Sequence, residues 1–141
     1  MIEYCLDTNV CIALINGTSV PVRARFKEAI AEGSVVCLST VVLHELWYGV
    51  AKSGRREENT ARLQAFLSGP FEILDWDDAD ARAAGEVRAA LEGGGQMIGA
   101  YDALIAAQAI RRGIVVVTAN TREFKRIDDL MWEDWARAKP R

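Results

Sequence analysis

Four oxygen-bearing side chains stand in apolar surroundings at wide intervals along the chain: Asp7, Glu45, Asp102 and Asn120. An ionised carboxylate against apolar surface is costly unless a cation or hydrogen bonds satisfy it. Carboxylates brought together repel one another unless one is protonated or a cation bridges them. A donor set of oxygens, without histidine or cysteine, suits a hard cation, Mg²⁺ with Mn²⁺ as substitute. Such a cation takes phosphate oxygens as further ligands, lowers the pKa of a bound water and stabilises charge during in-line attack. The chemistry expected is hydrolysis of a phosphate ester. Asp7, Glu45 and Asp102 are the expected metal ligands, and Asn120 completes the expected catalytic set.

The elements that must position these groups can be read from the same sequence. Met1 to Leu6 is a mostly apolar strand of the kind buried on both faces of a parallel sheet. Asp7 lies at its carboxyl end, where open α/β sheets bind ligands. A short helix is expected from Asn9 to Ile15, ended by Asn16-Gly17. Pro21 opens a second helix, stopped by Gly33. Val35 to Leu38 is the second strand, and Ser39 and Thr40 are N-cap candidates for a helix to about Lys52. Ala61, Leu63, Phe66 and Leu67 mark the next helix, and Phe71 to Leu74 a third strand. Asp77 caps a helix to about Leu91. Another runs from about Tyr101 to Arg112, and Ile114 to Thr118 is the last strong strand. On their helices Glu45 shares a face with Val41, Val42 and Gly49, and Asp102 leads the stripe Ile105, Ala106 and Ala109. Strands alternating with helices indicate an α/β fold with a parallel sheet covered on both faces. In such a sheet the carboxyl edges that carry Asp7 and Asn120 converge on one cleft.

At 141 residues, residues 1–141 are expected to form a single domain with one core. No apolar run approaches the roughly 18 residues that span a bilayer. The N-terminus lacks the basic region and long apolar segment of a signal peptide, so the expected location is the cytoplasm. Cys5, Cys11 and Cys37 lie in apolar segments without zinc-site spacing and read as small buried hydrophobes. A net charge of −3 argues against bulk, non-specific nucleic-acid binding but leaves room for a local basic patch. Asp75, Asp77, Asp78 and Asp80 read as a solvated cap and first turn. His44, the single histidine, has no general-base partner in sequence and reads as structural or surface.

Four segments together carry a resemblance. Leu6-Asp7-Thr8-Asn9, Leu43-His44-Glu45-Leu46-Trp47-Tyr48-Gly49, Ile98-Gly99-Ala100-Tyr101-Asp102-Ala103-Leu104-Ile105-Ala106-Ala107 and Val117-Thr118-Ala119-Asn120-Thr121-Arg122-Glu123-Phe124 resemble the PIN-domain family. In order and spacing they are most similar to the VapC-type toxins of bacterial toxin–antitoxin pairs, over nearly the whole chain. The resemblance implies a three-layer α/β/α fold, a Mg²⁺- or Mn²⁺-dependent endoribonuclease, a homodimer and a cognate antitoxin. It also implies an RNA substrate, with a tRNA anticodon loop as one candidate. The family's acids carry over to Asp7, Glu45 and Asp102. Its fourth position, often Asp, is Asn120 here. Glu123, three residues on, is a candidate to reach the metal through water. Asn9 and Thr118 are expected to support the ligands beside them.

RNA must also be held. Arg122, Lys125 and Arg112 are the principal phosphate-contact candidates, with Arg55, Arg56, Arg111 and Arg126 beside them. Trp47, Tyr48, Trp132 and Trp135 are candidates to stack a base or bury a partner, with core or dimer packing the favoured reading for Trp47 and Tyr48. The residues alone leave two other readings open. One is a phosphatase of the haloacid-dehalogenase type, built on Asp7, Lys125 and Asp128-Asp129, although Asn9 stands where that class wants a second Asp. The other is a non-catalytic Mg²⁺-binding switch module.

Overall fold

A computed structural model describes residues 2–137. Five strands form one sheet in the order β3-β2-β1-β4-β5, and every adjacent pair is parallel. They are β1 (Glu3–Leu6), β2 (Val35–Ser39), β3 (Phe71–Leu74), β4 (Val115–Val117) and β5 (Trp132–Glu133). The helices are α1 (Thr8–Asn16), α2 (Val20–Ala31), α3 (Thr40–Lys52), α4 (Arg56–Leu67), α5 (Asp78–Gly93), α6 (Ala100–Arg112) and the single turn α7 (Thr121–Phe124). The α/β architecture expected from the alternation of elements is the one observed.

Parallel strands buried on both faces need continuous apolar runs. The central strands supply them: Tyr4, Cys5, Leu6, Val36, Cys37, Leu38, Val116 and Val117 are all buried. Cys5 sits opposite Cys37 on one side and Val116 on the other. Burial pushes the thiols of Cys5 and Cys37 up to about 12 and that of Cys11 well above its ordinary value, so all three are neutral packing groups.

The chain leaves β1 toward β2 and β3, then returns past β1 to lay down β4 and β5. The reversal lies between β1 and β4, and such a switch point opens a crevice at the carboxyl ends of the two strands. The helices α1, α2, α3 and α4 pack among themselves, whereas α5 packs chiefly on α6. The two helix groups meet where α3 contacts α6.

Two elements escaped the sequence reading. Strand β5 pairs Trp132 with Val116 and Glu133 with Val117. Two residues cannot display an alternation, so this strand exists only through its partner. Behind it Trp135 is buried and meets Tyr4 edge-on, with ring centroids 5.2 Å apart. That packing corrects the expectation that Trp135 stacks a base, since no face of its ring is free. The turn α7 is likewise too short for a helical period to show.

The acids at the start of α5 also depart from expectation. Asp77 and Asp80 form a reciprocal cap: each side chain accepts the other residue's backbone N–H. Asp80, however, is wholly buried rather than solvated. Its carboxylate accepts from Arg111 Nε at 2.7 Å, Arg112 at 3.1 Å and Gln108 at 3.2 Å, all on α6. Burial opposes its ionisation, but the bonds from Arg111, the Asp77 backbone and Arg112 overcome it and hold its pKa near about 2. A charged clamp thus locks α5 to the C-terminal end of α6, the helix that carries Asp102 at its other end.

Candidate active site

Asp7 follows β1 directly and caps α1, its Oδ1 accepting from Val10 N at 3.0 Å. Its Oδ2 accepts a short hydrogen bond from the Thr118 hydroxyl at the end of β4. Both groups are buried, and they span the switch point between the two strands. Thr118 Oγ1 accepts in turn from Asn120 N at 2.8 Å, which fixes the chain as it leaves the sheet. Thr118 therefore bonds to both Asp7 and Asn120. Asn9 is exposed and reaches Asp7 through its backbone N–H, not its side chain. Burial raises the pKa of Asp7, opposed by these hydrogen bonds and assisted by the charge of Glu45.

Glu45 lies one turn into α3 and is half-buried. Its Oε1 accepts from the Thr8 hydroxyl at 2.9 Å, a bond that ties the start of α1 to α3. Sequence reasoning passed over Thr8, although its place beside Asp7 was the available signal.

Asp102 sits in the first turn of α6, and Glu123 in α7. The Asn120 amide joins them, donating to Asp102 Oδ2 at 3.1 Å and to Glu123 Oε2 at 2.6 Å. Glu123 Oε1 accepts from Gly99 N at 3.2 Å. Gly99 is the N-cap of α6, next to the Asp102 and Glu123 carboxylates. Burial, then the bond and charge of Glu123, then the charges of Asp7 and Glu45 raise the pKa of Asp102 to about 7. That of Glu123 is lowered, by the bond from Asp102 first and from Asn120 second. The two carboxyls thus oppose each other's ionisation, with Asp102 the one raised and Glu123 the one lowered. Glu123 is thus a member of the acid cluster rather than a bystander.

The donors are all oxygens, and Asp102 senses the charges of both Asp7 and Glu45. Among the described residues, no group of three or more acidic, histidine or cysteine side chains is drawn together closely enough to hold a metal ion by itself. A hard cation that keeps several waters and takes one or two carboxylates fits such an open cluster. A thiolate- or imidazole-seeking metal does not.

The basic candidates divide. Arg122 and Lys125 are exposed around α7, and Lys125 borders a groove between α5 and α6 together with Asp128 and Asp129. Arg126 donates to Met97 O at 2.7 Å, and its charge reaches Glu123. Arg112 corrects the sequence reading. It lies ten residues beyond Asp102 on α6, about 15 Å along the axis. Its guanidinium is engaged by Asp80 and by Asp75 O. Arg112 serves the interhelical clamp and not the phosphate. Asp128 and Asp129 face the α5–α6 groove, so the acids that a haloacid-dehalogenase site needs are not gathered with Asp7.

A buried carboxylate at the switch point thus lies within electrostatic reach of acids from α3 and α6, and the acid of α7 is tied to that of α6 through the Asn120 amide. The chain belongs to the PIN-domain family, whose sequence profile matches residues 4–130. It is similar to the tRNA(fMet)-specific endonuclease VapC of Shigella flexneri, at 42% identity over 96% of this chain and 100% of that one. Solved structures agree. The VapBC2 complex of Rickettsia felis bound to a promoter DNA fragment gives a TM-score of 0.88 at 39% identity, over 95% of this chain and 99% of that chain. The DNA-bound VapBC complex of Salmonella typhimurium gives 0.87 at 41% identity, over 96% of this chain and 99% of that chain. These relatives place the chain with the VapC ribonucleases, the toxins of toxin–antitoxin pairs.

Proposed function

We propose that this ribonuclease cuts RNA internally with Mg²⁺, or Mn²⁺ in its place, and is silenced by a cognate antitoxin. The observation that carries the reading is that Asp7, Glu45 and Asp102, from three separate parts of the chain, lie near enough for their charges to act on one another beside the sheet's switch point. Asp7, Asp102 and Glu45 would hold the cation, which supplies charge stabilisation for the phosphate during hydrolysis. Each chain residue has a defined task. Thr118 and the Val10 N–H aim the Asp7 carboxylate into the crevice. Thr8 holds Glu45 toward Asp7. The Asn120 amide keeps Asp102 and Glu123 together without adding a fourth negative charge. Without the cation the pKa of Asp102 is raised to about 7 by burial and the neighbouring acids, and a bound cation would favour its ionised form. Arg122 and Lys125 are the exposed cations proposed to meet the RNA backbone. The VapC relative named for tRNA(fMet) supports a tRNA loop as substrate.

The VapBC complexes support an antitoxin partner. Its chemistry follows from the site. A cluster of acids invites a basic side chain, which two carboxylates would seat by charge-assisted bonds. Next to Glu45 an apolar groove of about 210 Å³, lined by Ile12, Ile15, Leu46, Val50 and Leu63, would take the antitoxin's apolar residues. The resemblance to VapC-type toxins also supports a homodimer, which light scattering reads directly. Among the described residues no helix is long and apolar enough to cross a membrane, and the reading is of a cytoplasmic enzyme.

The test is purified protein incubated with total tRNA, in chelator and then with Mg²⁺ or Mn²⁺ restored, followed by mapping of the new RNA ends. Discrete cuts that vanish in chelator and in Glu45→Gln support the reading. Discrete cuts that persist in chelator defeat the metal dependence, and intact RNA under all conditions defeats the nuclease.

A further inference from the structure

The residues immediately before two of the site acids have no task in the mechanism above. His44 precedes Glu45 on α3, and Tyr101 precedes Asp102 on α6. Consecutive helical residues point about 100° apart, so each ring turns out of the acid cluster onto its rim. His44 is exposed and Tyr101 is 47% exposed. The two rings nevertheless meet across the gap between helices. His44 Nε2 lies 3.3 Å from Tyr101 Oη, and the ring centroids are 5.6 Å apart with the planes tilted by 53°. One turn further along α3, Tyr48 is 59% exposed, and the Lys52 ammonium sits 4.9 Å from its ring centroid.

Exposed rings followed by a cation, beginning at the edge of a phosphodiester-cleaving site, match the needs of a single strand. Each base has a π-face that an aromatic side chain can cover, and the backbone seeks a cation. Specific RNA recognition works chiefly on unpaired bases splayed onto such rings. The polar tips of His44 and Tyr101 add hydrogen-bonding capacity that a purely apolar protein interface would leave unused. We propose that His44 and Tyr101 form the stacking platform for an unpaired RNA base adjoining the scissile phosphate, with Tyr48 and Lys52 carrying the strand onward along α3. This specificity element rests on the nuclease reading and extends it. The platform bridges the two helices that bring Glu45 and Asp102 together, so a base seated there places its own phosphate at the acids.

The test separates binding from cutting. A fluorescein-labelled, unstructured oligoribonucleotide is titrated in Mn²⁺ with Asp7→Asn protein, which is expected not to cut it, and anisotropy gives Kd. His44→Ala and Tyr101→Ala, added to that protein, are expected to weaken binding by about tenfold each. Tyr101→Phe, which keeps the ring, is expected to bind close to the parent. In the active protein the alanine variants are expected to raise KM and leave kcat nearly unchanged. An abasic nucleotide beside the cut is expected to weaken binding to the parent but to cost the Tyr101→Ala protein little more. Mn²⁺ affinity, measured by calorimetry, is expected to hold in every ring variant. RNA binding unchanged by the alanine variants would overturn the platform. So would a loss of binding that comes with a lower mass in light scattering, because the rings would then be joining two copies of the chain. Ring-dependent RNA binding by a wild-type protein that never cuts would leave the platform standing and remove the nuclease reading instead.

Discussion

Asp102→Asn is expected to stabilise the metal-free protein while abolishing RNA cleavage, and only above a certain pH. Folding raises the pKa of Asp102 from an ordinary 3.8 to about 7. A carboxylate raised in this way binds its proton more tightly in the folded state. Its contribution to stability is full below the unfolded value and is lost as pH rises through the folded one. Each tenfold in proton affinity is worth about 1.4 kcal/mol, so the ionised form carries a cost with an upper bound on the order of 4 kcal/mol at pH 8. Two features reduce it. Asp102 is only half-buried, and the lowered pKa of Glu123 offsets part of the cost. A net gain of about 1–2 kcal/mol in Asp102→Asn is therefore expected, which for a chain of this size raises Tm by about 3–8 °C. The asparagine amide can still donate to Glu123, so packing is preserved. Thermal melts in chelator from pH 4 to pH 9 read the effect. The gain is expected to be absent at pH 4 and to grow between pH 4 and pH 8. A difference independent of pH would refute the reasoning, because the cost would then not be one of ionisation. Greater stability of the wild type at pH 8 would place Asp102 in a structural ion pair.

Asp7→Ala is expected to abolish RNA cleavage and growth arrest, and full ribonuclease activity in the purified variant would remove Asp7 from the site. Asp80→Ala is expected to cost roughly 3 kcal/mol, since it leaves Arg111 and Arg112 facing a buried hole. The lowered pKa of Asp80 gives its contribution the opposite pH sign to that of Asp102. That stability is present above the unfolded value of 3.8 and fades as pH falls toward about 2. Urea titrations at pH 7 and pH 2.5 should show a large deficit for the variant at the first and a smaller one at the second. Asn120→Asp is expected to tighten Mn²⁺ binding modestly, through added ligand charge, and to lower apo stability by replacing the amide that joins Asp102 and Glu123. Calorimetry and melts on the same sample check both, and unchanged Mn²⁺ affinity would place residue 120 outside the metal's reach.

The acids were legible because their chemistry conflicts with their surroundings. Asp7 ends an apolar strand, and Glu45 and Asp102 each open an apolar helical stripe, so local periodicity alone aims them inward. The same periodicity delivered the six longer helices, the four longer strands and the parallel sheet. What it could not deliver depends on partners distant in sequence. Whether a carboxylate is solvated or clamped is settled by what packs on it, which is why Asp80 turned out to be a buried anchor and Arg112 its counter-ion. A two-residue strand has no period of its own, so β5 and the burial of Trp135 were set by pairing with β4 and packing on Tyr4. The joining of Asp102 and Glu123 by the Asn120 amide is likewise a property of distances and not of residue types. Local sequence chose the groups and the direction each one faces. Only the closing of α6 and α7 over the switch point decided which of them interact, because charge and hydrogen bonding act over a few ångströms in space whatever the separation along the chain.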